Sequence, residues 1–358
     1  MHTRLVVRTA GVLVVAALVG VVGWRLLAAP STYDRAMSSL PQDVLRATYT
    51  DWAQVRAAAK GDGLGAGASK AEVSAFTDRA YDLDLTSGSA LAESVHALQQ
   101  HYGFSPLHAQ WEAFGQGKQG QVDVLRVDDG VDLAGVERTL RRLGYDAPSA
   151  GSGQGGTWTG GADLVAQLDP DLTPVQQNVV VVPDQHLVLM SDNAGYLSSA
   201  AHVVTASGDA LTDEAGVDGL VEDADEPVTA LLWSRGFACE DLSMGQADDE
   251  DQRVGDQLVR KAGGITPLDG FVMAQQADRS LVLGLHFETE ERAKRNLQPR
   301  VDLASGDAPG QGGSFRDRFT VASGERDGRD VVVRTRPTDP DEAVFSDLSS
   351  GPLLLATC

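Results

Sequence analysis

The sequence predicts an α+β protein: an N-terminal transmembrane helix, a helical membrane-proximal segment, then two related antiparallel-sheet modules with ferredoxin-like topology as the leading expectation. Three observations carry this. A charge-free apolar run opens the chain, short strand-like runs alternate with amphipathic helical ones from about residue 120, and their order recurs toward the C-terminus. The 358-residue chain has enough length beyond the apolar run to bury a substantial core and to form two domains. The expected segments are 1–30, 31–115, 116–245 and 246–358.

Residues 9–24 carry no charge, Arg4, Arg8 and Arg25 flank them, and Pro30-Ser31 ends the run. A bilayer core needs roughly twenty helical residues, so the run is slightly short. Snorkelling of Arg8 and Arg25, with Trp24 at the interface, makes up the difference. Arg4, Arg8 and the amino group favour the cytoplasmic side. The expectation is therefore a signal anchor in the cell membrane, single-pass, with the body extracytoplasmic and the membrane as a partner. The alternative is secretion after cleavage near residue 29, against which the large Leu27 in Leu27-Ala28-Ala29 argues.

Within 31–60, Leu45, Tyr49, Trp52 and Val55 recur at helical spacing, and glycines from Gly61 to Gly65 end the stretch. Ser69 and Glu72 have the spacing of a capping box. Residues 89–102 continue as helix, with Leu91, Val95 and Leu98 on one face and Gly103 as the stop. The next elements are a strand at 122–127, a turn at Asp128-Asp129-Gly130, and a helix at 132–143 stopped by Gly144. A glycine-rich loop at 148–156 leads to strands at 157–159, 178–182 and 186–190, a helix at 194–204, and a strand at 229–233. The acidic run 246–253 lies between the modules, with the boundary expected between about 235 and 265. The second module reads as strand 280–287, helix 289–297, glycine-rich loop 302–313, strands 319–323 and 330–335, helix 339–348 and a closing strand 352–356.

The formal net charge of −22 repels nucleic-acid backbones and acidic headgroups, so no nucleic-acid partner is expected. The two cysteines, Cys239 and Cys358, fall in the exported body, where an oxidising compartment permits a disulfide between them. Gly151, Gly153 and Gly156 match G-x-G-x-x-G but lack the preceding strand and following helix a pyrophosphate needs. No G-x-S-x-G elbow exists, and Ser234 before Arg235-Gly236 reads as a turn residue. His96 and His101 are five apart rather than four, and His108, His186, His202 and His286 are scattered. Asp128, Asp129 and Asp132, Asp82 with Asp84, and the acids at 248–251 do not have the spacing of an EF-hand loop. No catalytic residue, cofactor or metal is expected.

The apolar N-terminus followed by Leu40-Pro41, Thr50-Asp51-Trp52 and Asp-rich α+β repeats resembles uncharacterised membrane-anchored extracytoplasmic proteins of actinobacteria. The resemblance spans most of the chain and implies no catalytic residue. The expected function is a non-catalytic cell-envelope protein with a binding or structural role toward an envelope protein, a lipid or a cell-wall component. One alternative is a lipid or small-molecule carrier with an internal cavity. The other is a divergent hydrolase using paired carboxylates.

Overall fold

The computed structural model describes residues 29–65, 67–149, 155–206 and 208–358. Residues Tyr33–Cys358 form one compact unit. Its frame is a single open antiparallel sheet of eleven strands: β1 (Val44–Thr50), β2 (Ala109–Gly117), β3 (Gln121–Val127), β4 (Thr157–Thr159), β5 (Asn178–Val182), β6 (Leu187–Ser191), β7 (Thr229–Ser234), β8 (Gly270–Gln275), β9 (Leu281–His286), β10 (Phe319–Asp327) and β11 (Asp330–Pro337). Their spatial order is β10-β11-β9-β8-β7-β1-β2-β3-β6-β5-β4.

Three expectations are corrected by this arrangement. The sheet does not divide into two modules of ferredoxin-like topology: β1 pairs with β7 in the middle, Thr50 opposite Thr229, and the ladder runs on unbroken. The order meander, helix, hairpin does occur on both sides of that pair, but the two meanders share one sheet. Nor is 31–115 a helical region, because it supplies β1 and β2, the centre of the sheet. The spacing of Leu45, Tyr49, Trp52 and Val55 misleads because a central strand is covered on both faces and loses its alternation. Thr48-Tyr49-Thr50 carries the strand preference instead, and Asp51 then caps the helix Trp52–Ala58 by accepting from Gln54 N. Residues 352–356 hold a short 3₁₀ turn, Leu354–Ala356, rather than a strand.

The anchor expected over 1–30 falls on residues 1–28, outside the described residues, as to its apolar run. Among the described residues no helix is long and apolar enough to cross a membrane. The single-pass topology, the cytoplasmic N-terminus and the membrane partnership all rest on that run, and no helix among the described residues supplies a membrane span in its place.

Strand alternation assigns the core to two faces. Val180, Ala230, Leu232, Val272 and Ala274 point to one face, where helices Thr32–Met37, Ala194–Ala206 and Val217–Asp223 bury Met37, Leu197 and Leu220 against them. Val179, Val181, Leu231, Phe271 and Met273 point to the other face, and the apolar cover there is in two pieces. Helices Trp52–Ala58, Lys70–Asp82, Val95–His101 and Leu133–Leu143 close one piece around Trp52, Phe76 and Leu98. Helix Glu290–Ala304 and the C-terminal segment close the other around Trp233, Phe315 and Leu354. Burying a large side chain of this kind contributes about 1.5–3 kcal/mol, so each piece is a substantial core on its own side.

Candidate functional site

Between those two pieces the sheet presents polar side chains. Ala47 and Tyr49 of β1 face the continuous cluster, so alternation turns Arg46, Thr48 and Thr50 to the divided face. Glu112 on β2 and Asp123 on β3 lie on the same side, since their strand neighbours Trp111, Ala113, Val122 and Val124 belong to the opposite cluster. Thr48 Oγ1 donates to the Gly88 carbonyl, and Thr229 Oγ1 donates to the Tyr49 carbonyl at 3.0 Å. Glu112 accepts from Trp52 Nε1 at 2.8 Å, Ser89 Oγ at 2.7 Å and the Ala90 amide at 2.6 Å. Arg46 Nε, Thr50 Oγ1 and both Asp123 carboxylate oxygens are buried without a hydrogen-bond partner.

The Arg46 end of this band opens into a cleft of about 300 Å³ lined by Leu45, Arg46, Gln116, Lys118, Phe237 and Asp241. The Arg46 guanidinium lies 5.5 Å from the centre of the Trp233 ring, an attraction between a cation and an aromatic face. Trp233 Nε1 donates to Asp241 Oδ2 at 2.6 Å, which occupies the acid of the cleft. Arg46 itself has one long bond, Nη2 to the Ser349 carbonyl at 3.5 Å, and no carboxylate pairs with it among the described residues. Buried guanidinium nitrogens normally find acceptors. The other orphaned Nε, that of Arg300, belongs to a side chain whose terminal nitrogens already donate to the Leu355, Thr357 and Thr266 carbonyls at 2.7–2.9 Å.

Three other clefts differ in charge. One of about 250 Å³ beside Tyr81 mixes Lys70 with Asp78, Glu93 and Asp171, and Lys70 already pairs with Asp171 at 3.8 Å. One of about 290 Å³ sets Lys261 and Arg316 against Asp302 and Asp307. The widest, about 700 Å³, is lined by Asp43, Ser198, Ser199, His202 and Asp209. Of these four clefts, the one at Arg46 is the one whose cations, Arg46 and Lys118, outnumber its acids, here Asp241 alone.

Glu112 and Asp123 form a carboxylate pair, 1% and 0% exposed. Burial pushes the Asp123 carboxyl well above the usual carboxylate range, and the neighbouring Glu112 charge adds to it. Burial also raises Glu112, while hydrogen bonds from Ser89, Trp52 and Ala90 pull it back. A hydrolase with paired carboxylates needs them in a cleft reached by water and substrate, and these two lie inside the core.

The expected residues are distributed as follows. Cys239 and Cys358 are joined in a disulfide, with Cα atoms 5.4 Å apart across 119 residues. Ser234 is buried, its Oγ donating to the Val44 carbonyl at 2.7 Å. His101 meets Asp169 at 3.2 Å, and His286 meets Asp330 at 2.5 Å. Asp132 caps helix Leu133–Leu143 through the Gly135 amide at 2.9 Å, and Asp129 pairs with Arg126 at 2.7 Å. Gly151 and Gly153 lie outside the described residues. Among the described residues no group of three or more His, Cys, Asp or Glu is placed to hold a metal ion. Arg46, Glu112 and Asp123 were not singled out from sequence. Their one signal is a charged residue inside a short apolar run, as in Gln-Val-Asp-Val-Leu at 121–125, where strand alternation would bury it.

No protein-family model matches the chain, and no curated protein matches it. Two solved structures of TP0453 show a weak similarity to the chain. Crystal form I has a TM-score of 0.38 at 8% identity, covering 88% of this chain and 98% of that one. Crystal form III has a TM-score of 0.42 at 9% identity, covering 87% and 97%. At such scores the likeness carries no functional argument.

Proposed function

We propose that this chain is a non-catalytic small-molecule-binding protein of an oxidising compartment, and that its ligand is an anion held by Arg46. The observation that carries the reading is the Arg46 side chain: half-buried, stacked on Trp233, lining a cleft, and without a carboxylate partner in a chain of 51 acidic and 29 basic residues. A guanidinium presents a planar fork suited to carboxylate or phosphate oxygens. Lys118 at the rim adds a second positive charge, and Leu45 with Phe237 gives the cleft apolar walls. An anionic head on a short apolar body matches that lining. The carrier reading is favoured over a structural one, but with an open cleft in place of an internal cavity. The Cys239–Cys358 disulfide supports the compartment, because reducing cytosol disfavours such bonds.

The test is calorimetric titration with octanoate and octyl phosphate, using octanol as the neutral control. We expect both anions to bind, octanol not to bind, and Arg46→Met to weaken binding at least tenfold without lowering the melting temperature. Equal binding by wild type and Arg46→Met, or no binding of either anion, sinks the proposal.

A further inference from the structure

We infer that Glu112 and Asp123 share a single proton at neutral pH and together act as a proton-held clasp between the sheet and its helical cover. The geometry sets the roles. Glu112 reaches off β2 to three donors on the covering layer: the Trp52 indole from helix Trp52–Ala58, and Ser89 Oγ and the Ala90 amide from the segment before helix Val95–His101. Those donors call for a carboxylate acceptor. Asp123, on the adjacent strand, has no donor supplied by protein and no cation beside it. Two bare charges this close in a dry core are prohibitively unfavourable, so one site keeps its proton. Asp123 is that site, with its proton directed at Glu112.

The surrounding charged groups are engaged elsewhere. Arg56, on helix Trp52–Ala58, donates to the Pro106 and Ala109 carbonyls and pairs with Asp128 at 3.6 Å. Asp84, on the segment leading to Ser89, accepts from the Phe345 amide at 2.8 Å and from Ser346. On helix Val95–His101, His101 pairs with Asp169, and His96 lines the cleft beside Tyr81. Arg46 on β1 faces the cleft, and Arg126 on β3 pairs with Asp129. The Tyr102 and Tyr145 hydroxyls bond to each other at 2.7 Å. The charge acting on Asp123 is that of Glu112.

The sign follows from linkage. The folded chain holds a proton that the unfolded chain releases near the ordinary Asp value of 3.8, so this pair's contribution to stability falls as pH rises above about 4. Ionising Asp123 places a second charge beside Glu112 and loosens the attachment of Trp52 and Ala90. Neutral solution keeps the clasp closed, and alkaline solution opens it.

The test uses the full chain with Asp223→Asn as background, which removes a second acid with a raised pKa. Between pH 5 and 8 this protein's unfolding constant should rise by up to tenfold per pH unit. Asp123→Asn, which keeps an N–H donor toward Glu112, should remove that rise. Infrared spectra of the same background at pH 8 should show a protonated carboxylic acid, absent from Asp123→Asn. If Asp123→Asn fails to fold, the infrared band still decides, because it is read on the parent protein. Absence of that band, or the same pH slope with and without Asp123, overturns the inference.

Discussion

Replacing Asp223 by Asn should stabilise the protein, and only above about pH 5. Asp223 closes helix Val217–Asp223, where the helix dipole disfavours negative charge. Its Oδ2 is buried without a hydrogen-bond partner. Burial, followed by repulsion from Asp330, Asp327 and Glu222, raises its pKa from 3.8 to about 7, against a smaller opposing pull from Arg334. That shift has a ceiling of about 4 kcal/mol at 1.36 kcal/mol per unit. The side chain is only half-buried, so solvent screening brings the expected value down to roughly 1–2 kcal/mol. The folded state binds the extra proton between pH 3.8 and about 7, so wild-type stability is lost as pH rises through that window. Asn carries no such charge at any pH. Urea titrations at pH 4, 6 and 8, followed by circular dichroism, should give coincident midpoints at pH 4. A gap should widen toward pH 8, with a melting point raised by about 2–3 °C for a chain of this size. An Asn variant equally displaced at all three pH values, or less stable at pH 8, would refute the electrostatic reasoning.

Two further outcomes follow from backbone and covalent geometry. The Cys239–Cys358 bridge closes a loop of 119 residues, worth about 5 kcal/mol in the chain-entropy limit. The Cys239→Ser/Cys358→Ser variant should melt about 7 °C lower in calorimetry, unchanged by reductant, whereas wild type should fall to that value when reduced. Gly216 has φ +84°, and a Cβ there would stand 2.3 Å from His286 Cδ2. Gly216→Ala should cost about 2–4 kcal/mol in chemical denaturation through clash and left-handed strain. An unchanged midpoint would mean that helix Val217–Asp223 can move off the His286 ring freely.

Much of the local structure is legible in the sequence. Asp132 and Gly144 mark the two ends of helix Leu133–Leu143, because a side-chain acceptor and a left-handed glycine act within one turn of the chain. The Ser69–Glu72 capping box is equally local, and it forms at the start of helix Lys70–Asp82. β5 and β6 announce themselves by continuous Val and Leu around Pro183. β1 and β8 do not, since Arg46 and Ala47 in one and Gly270, Met273 and Ala274 in the other dilute the β-branched run that marks a strand.

By itself, then, the sequence determined an α+β body with an acidic surface, its local helix ends and hairpins, and two cysteines available for oxidation. Only the tertiary structure decided that β1 and β7 join the halves into one sheet, because that pairing spans 180 residues, as in the contact of Thr229 with Tyr49. It also decided that Glu112 meets Asp123 and that Arg46 meets Trp233 rather than an acid. Those encounters depend on which strands lie side by side and which face each side chain takes. Neither is fixed until the sheet has formed.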